Sequence, residues 1–443
     1  MAHMFNKIHP DAAADTRPAN LQPYRFFDKI RSPLYINAIF LMIAGGAGAA
    51  LSFVFWILAA RFFPPAAVGL AGAAISAMSL LGTISHLGLG FGIIRFLPQK
   101  AYPTKSIINS SISLTFIVSI LAGVIFLLGL GLWSPELVFL RQNLLLAVAF
   151  TAFTAATALN SIADDSLIAQ RHSGYSTLRV VTASGLRLIL VVILASLFPE
   201  NGIILAWGVA LIAALLVAIF GFIPRVSEGF RPGFELCTPY IKSSFGFSLG
   251  NNLSQFLGSA PALLLPLLVL GILGAESNAY FYIGWSTAAA LTTIPASVST
   301  SLFSEGSHDE NGLSTHIKKS LKLSLGLILP LVIIFFLLAD KILLFFGQEY
   351  ALSSAGLLRI MIIGLLPQTL NVIYMGSLKV KKRLKGLIAL NCLIAGLSLI
   401  LSFGLIPSMG INGAGLAWVI AQSVCAVYVS SRLFAKRSTP LNG

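Results

Sequence analysis

The stretch Asn201-Gly202-Ile203-Ile204-Leu205-Ala206-Trp207 is written a second time, with five of its seven letters kept, as Asn412-Gly413-Ala414-Gly415-Leu416-Ala417-Trp418. The copies lie 211 residues apart in a chain of 443 residues, close to half its length. The same offset lays Leu159-Asn160-Ser161-Ile162 over Leu370-Asn371-Val372-Ile373, Ser166-Leu167 over Ser377-Leu378, and Arg171 over Lys382. An offset one shorter sets Gly69 over Ala279. Matches at one offset in separate places point to an internal duplication. In each copy the Asn is expected to cap a helix and the Gly to permit a tight entry.

Composition says what kind of unit is duplicated. The chain is 57% hydrophobic and 10% charged, where soluble domains hold about 25% charged residues. So little charge cannot cover a water-facing surface, so lipid is the solvent. A bilayer core about 30 Å thick needs roughly 20 apolar residues per helical span. Segments 107–132, 142–163, 202–224, 386–407 and 411–431 contain no Asp, Glu, Lys or Arg. The predicted fold class is therefore an all-α integral membrane protein. The first apolar run, 34–60, is too long for a signal peptide and follows a polar tail, so it is read as an uncleaved span. Cys237, Cys392 and Cys425 suggest neither a disulfide framework nor a thiolate metal site. No cofactor and no metal are expected.

Twelve hydrophobic segments are predicted, at roughly 34–60, 68–97, 107–132, 142–163, 178–198, 202–224, 243–272, 277–303, 320–339, 354–378, 386–407 and 411–432. Lys and Arg prefer cytoplasmic loops. With the N-terminus inside, 24 of the 29 Lys and Arg fall on the inner side. This topology puts both termini in the cytoplasm and accounts for the net charge of +14. The basic residues are scattered over many loops, which favours lipid headgroups over nucleic acid as their partner. Each half of the duplication then holds six spans, and six is even. The two lobes enter the membrane from the same side, as parallel repeats related by a pseudo-two-fold axis along the membrane normal. The expected organisation is a cytoplasmic tail (1–33), a first lobe (34–224), a cytoplasmic linker (225–241), a second lobe (242–434) and a cytoplasmic tail (435–443). Two such lobes about a central site are transporter architecture.

Polar residues within spans are costly, and they face the bundle interior or a water-filled cavity. In span 7, Ser248, Asn252, Gln255 and Ser259 form one helical stripe, widened by Asn251 and Ser254. It can be read as a cavity wall or as a helix-to-helix hydrogen-bonding seam. Asn37 of span 1 overlies Ser248 in the repeat. Arg187 falls near the middle of span 5 and should face water or an anion. Arg95, Arg61 and Arg359 lie near span ends, where a cavity role and a snorkelling anchor are both open. Tyr282, with Tyr280 and Trp285, can serve a cavity or an interfacial aromatic belt. Asp164, Asp165, Glu276 and Glu305 fall near span ends, so the cavity is expected to keep Arg and amides but no carboxylate. Such a cavity suits an anionic, hydrogen-bonding substrate, for example phosphate joined to sugar.

At this point the chain resembles the polysaccharide, O-antigen type flippases of the multidrug/oligosaccharidyl-lipid/polysaccharide exporter superfamily. The resemblance rests on Phe55-Trp56-Ile57-Leu58-Ala59-Ala60-Arg61-Phe62-Phe63-Pro64-Pro65-Ala66-Ala67-Val68-Gly69-Leu70, followed by Leu87-Gly88-Leu89-Gly90 and Arg95-Phe96-Leu97-Pro98. His86 stands where such sequences often carry an acidic residue. The resemblance implies a non-enzymatic flippase of the plasma membrane. It would move a polyprenyl-pyrophosphate-linked oligosaccharide between leaflets by alternating access. The implied partners are that substrate, membrane lipids and other polysaccharide-assembly membrane proteins. A multidrug antiporter of the same superfamily is the alternative. A major-facilitator sugar transporter would carry an Asp-Arg-rich loop between spans 2 and 3, where this chain reads Leu97-Pro98-Gln99-Lys100-Ala101-Tyr102-Pro103. A membrane polymerase or ligase would favour a large external loop.

Overall fold

The computed structural model describes residues 33–227, 229–308 and 312–435. The tails at 1–32 and 436–443, and the side chains of 33–39, 41, 42, 308 and 433–435, lie outside the described residues. Where backbone meets hydrocarbon, every N–H and C=O must be paired within its own segment. The apolar runs accordingly fold as helices. The first lobe is built from α1 (Pro33–Phe62), α2 (Pro65–Ser85), α3 (Thr104–Leu128), α4 (Leu144–Ala169), α5 (Ser173–Leu197) and α6 (Gly202–Val226).

Among the described residues eleven helices are long and apolar enough to cross a membrane. One of them, Thr238–Ser307, runs for 70 residues, about 105 Å at 1.5 Å per residue. That is several times a bilayer core, and Gly274 interrupts it with φ 82° and ψ 178°. Only glycine takes that conformation without strain, so one helix ends and the next begins there. The second lobe thus comprises α7 (238–273), α8 (275–308), α9 (Leu313–Leu337), α10 (Gln348–Val380), α11 (Leu384–Met409) and α12 (Ile411–Ala435). Among the described residues the protein has twelve membrane helices in two six-helix lobes. Exposed apolar side chains on its flanks, such as Leu121, Ile125 and Leu128 on α3 and Ile189, Ile193 and Leu197 on α5, recur at helical spacing and face lipid.

The duplication is visible in the packing. In the first lobe α1 lies on α5, α2 and α3 on α4, and α4 and α5 on α6; in the second, α7 lies on α11, α8 and α9 on α10, and α10 and α11 on α12. Individual bonds repeat as well. Asn160 Nδ2 donates to the carbonyl of Leu211 at 3.0 Å, and Asn371 Nδ2, 211 residues on, donates to that of Gln422 at 2.9 Å. Arg171 and Lys382 both take positive φ, 60° and 52°, at the ends of α4 and α10. The amides after them reach back to Leu167 and Leu378, both at 2.9 Å, which closes the same left-handed cap twice.

The glycine of the repeated seven-residue stretch permits the tight entry expected of it. A Cβ on Gly202 would stand 2.8 Å from the carbonyl oxygen of Leu194, and one on Gly413 would stand 2.3 Å from that of Leu405. Each lobe therefore brings the start of its sixth helix onto the end of its fifth through a position that admits no side chain. The expected cap is absent at Asn201, whose side chain makes no capping bond. The backbone there is already helical, at φ −117° and ψ −1°, instead of the extended form that aims a capping oxygen at the first amides.

The lobes meet along α2 and α8. At the predicted outer face, a Cβ on Gly69 would fall 1.8 Å from the Ala275 carbonyl oxygen, and Asn278 Nδ2 donates to the Gly69 carbonyl at 2.7 Å. Small residues permit this backbone approach. Toward the predicted inner face, the start of α7 leans on the first lobe instead. Tyr240 is fully buried there, its hydroxyl 3.1 Å from Ser111 Oγ, with Phe96 and Tyr102 edge-on to its ring.

Candidate functional site

Between α2 and α4 of the first lobe and α7 of the second lies a cavity of about 380 Å³, lined by Ser79, Gly82, Thr83, His86, Phe91, Thr157, Ser161, Asp164, Asp165, Asn252 and Gln255. A size of that order falls within the roughly 300–1,000 Å³ of small-molecule sites. Its most charged wall is α4. Asp165 Oδ2 lies 3.1 Å from Nε2 of His86, which ties the end of α2 to α4. Asp164 Oδ1 accepts from Arg179 Nε at 2.8 Å and from Ser176 Oγ at 2.7 Å, while its Oδ2 takes Arg179 Nη2. The third guanidinium nitrogen of Arg179 donates to Asn160 Oδ1 at 2.6 Å. Arg179 is thereby used on all three nitrogens, with two bonds to one carboxylate in the fork geometry that favours arginine.

This arrangement corrects two sequence expectations. The cavity does hold carboxylates. Asp164 and Asp165 sit near the end of α4, as read, but their side chains turn inward to the cavity. Arg179, counted with the basic residues of the inner side at the very start of the predicted span 178–198, belongs to the second turn of α5 and is buried, because α5 begins at Ser173. The signal was present in the hairpin. Its turn centres near 171–172, so Asp164 and Arg179 stand at equal distances from it on antiparallel helices and meet at the same depth.

The predicted site residues disperse. Asn252 and Gln255 line the cavity. Asn252 Nδ2 donates across the lobe boundary to the Thr83 carbonyl at 3.2 Å, and its buried Oδ1 has no partner. Asn251 and Ser259 donate to carbonyls of their own helix, those of Phe247 and Gln255, at 2.9 and 3.0 Å. Ser254 faces α11, where Asn391 Nδ2 reaches its carbonyl at 3.0 Å. The side chain of Asn37 lies outside the described residues.

Arg187 is buried at 8% exposure, its guanidinium 3.5 Å from the ring centre of Trp207 and 5.7 Å from that of Phe55. Its Nε has no hydrogen-bond partner. Trp207 continues to Trp56, and Trp56 packs on Tyr282 at 4.6 Å, so an aromatic chain joins Arg187 to the second lobe. The charge is held by ring faces. Arg95 is exposed, 4.6 Å from the Phe247 ring centre. Arg359 pairs with Asp340 at a helix end. Arg61 crosses between the lobes at the predicted outer face, where Nε and Nη2 donate to the carbonyls of Phe345 and Leu344 at 2.9 and 2.8 Å.

Comparison with known proteins bears on this architecture. A family model described as "Polysaccharide biosynthesis protein" matches residues 34–305, and a second, MatE, matches residues 252–406. A Shigella flexneri protein described as a candidate O-antigen transporter is 24% identical over 191 residues, 42% of this chain and 46% of the relative. The match thus spans about half the length of that curated relative. Among solved structures, the lipid II flippase MurJ in an inward closed conformation has a TM-score of 0.69 at 17% identity, covering 93% of this chain and 88% of that one. An inward-facing multidrug resistance MATE family transporter of the MOP superfamily has a TM-score of 0.66 at 17% identity, covering 89% and 96%. At such identities the likeness is one of fold.

Proposed function

We propose that this chain, which belongs to the polysaccharide biosynthesis protein family by its match over residues 34–305, is a flippase for a lipid-linked oligosaccharide. The observation that carries the reading is the polar cavity shared by α2, α4 and α7 in a protein otherwise clad in apolar side chains. A glycan crossing a bilayer must exchange water for fixed hydrogen-bonding partners, whereas its polyprenyl tail is already at home in lipid. Rocking of the two lobes about the cavity passes the sugar from one face to the other, with no bond made or broken. The basic inner loops support an orientation with both termini in the cytoplasm, and membrane lipids and other polysaccharide-assembly proteins are its partners in the plasma membrane.

A second reading, a multidrug antiporter, is favoured by the MatE match over 252–406 and by the carboxylates at the cavity. One experiment separates the two. Proteoliposomes holding the protein are given a labelled polyprenyl-pyrophosphate oligosaccharide or a lipophilic cation. The glycolipid is expected to reach the opposite leaflet at a rate that scales with protein. Cation transport without glycolipid movement would overturn the flippase reading.

A further inference from the structure

We infer that the cavity between α2, α4 and α7 is a subsite for a neutral, hydroxyl-rich sugar residue of the translocated glycan, and that it rejects a sugar bearing a carboxylate. The inference rests on the flippase reading and names its substrate class.

The argument is a count of donors and acceptors. The hydroxyls of Ser79, Thr83 and Thr157 each donate to the carbonyl four residues back, to Ile75, Ser79 and Phe153, at 2.8 Å in every case. Their protons are spent on their own helices, so what they offer the cavity is oxygen lone pairs. Asn252 is fixed the same way: Nδ2 is committed to the Thr83 carbonyl, and Oδ1, on a residue 6% exposed, is left without a partner. The carboxylate of Asp165 adds two more acceptor oxygens, one of them facing His86. Gln255 brings an amide whose N–H₂ can donate.

No Lys or Arg lines the cavity among the described residues. Arg179, whose guanidinium reaches the lining residue Asp164, is spent on Asp164 and Asn160. A wall made of acceptors calls for a ligand made of donors, and an acceptor left unpaired against the wrong ligand weakens binding. A pyranose ring with several O–H groups fits. A uronate meets Asp165 as a like charge, with no Lys or Arg among the described lining residues to offset it.

The test pairs two polyprenyl-pyrophosphate oligosaccharides of equal length, one made only of hexoses and one carrying a hexuronic acid, in proteoliposomes of the full-length protein. The hexose substrate is expected to cross about tenfold faster or more, since like-charge juxtaposition is costly. The isosteric Asp165→Asn variant is expected to raise the rate for the uronate substrate, and Asn252→Ala to slow the hexose substrate. Equal rates, or a faster uronate substrate, would overturn the inference and leave the flippase reading standing. Movement of neither substrate by monodisperse protein would overturn both.

Discussion

Arg179 and Asp164 are charges that hydrocarbon would reject singly and that this protein keeps by pairing them. Arg179 is 6% exposed and every nitrogen of its guanidinium has an acceptor. Removing one partner of such a pair strands the other, at about 3–5 kcal/mol. Arg179→Ala is therefore expected to lower the melting temperature of the purified protein sharply. The double variant Asp164→Leu with Arg179→Met removes both charges and should melt above the single variant. A double variant no more stable than the single one would mean that the pair is not what holds α4 to α5. At this scale the sequence was only partly legible. Arg187 is conspicuous as a charge in an apolar run, yet nothing in the run says that Trp207 and Phe55 enclose it. Asp164 and Asp165 read only as span-end residues, because closeness to a helix end cannot tell a side chain facing the loop from one turned into the protein.

The helices themselves were the most legible part. Apolar length and the alternation of basic loops yield twelve, and the offset of 211 yields two sixes. The α7–α8 junction is legible too, between the predicted spans 243–272 and 277–303; what the structure adds is that no loop separates them and Gly274 alone turns the chain. What the repeat encodes is contact geometry. The conserved spacing between Asn160 and Leu211, and between Asn371 and Gln422, preserves one interhelical hydrogen bond in both lobes. The glycines of the repeated stretch preserve one backbone approach. A methyl forced into such a site overpacks it by about 1–3 kcal/mol. Gly413→Ala should destabilise more than Gly202→Ala, since its methyl would stand 2.3 Å rather than 2.8 Å from a carbonyl. Melting curves of the two variants check the order. The charged network, by contrast, was not duplicated: Asp164, Asp165, Arg179 and Arg187 correspond to Met375, Gly376, Leu390 and Ser398. The first lobe carries the charged groups of the cavity, and its twin contributes the amides of Asn252 and Gln255.

At the scale of the whole molecule, the lobes are joined along α2 and α8 at the predicted outer face. Arg61 donates twice to carbonyls of the other lobe, and the Gly69 backbone rests against Ala275. Both contacts join the lobes at the predicted outer face, and opening that face would break them. Arg61→Ala should shift the population toward outer-open states, because each lost bond to a charged donor removes about 1.5–3 kcal/mol from the closed state alone. Spin labels on Ala66 and Phe345 would then report a longer or broader distance. An unchanged distribution would show that the apolar contacts suffice to hold the face closed.

The strip that follows the first lobe has a consequence of its own. Asn109 Nδ2 reaches the Arg231 carbonyl at 3.0 Å, the amides of Glu235 and Cys237 donate to Ser113 and Ser110 at 3.1 and 2.7 Å, and Tyr240 beds down beside Ser111. The second half of the chain therefore begins by signing onto the first. Covalent continuity near residue 229 is dispensable to that recognition. Two separately synthesised fragments, broken before Phe230, hold a matched plug and socket and should complement one another in a cell. A second fragment begun after Tyr240 would arrive without its address.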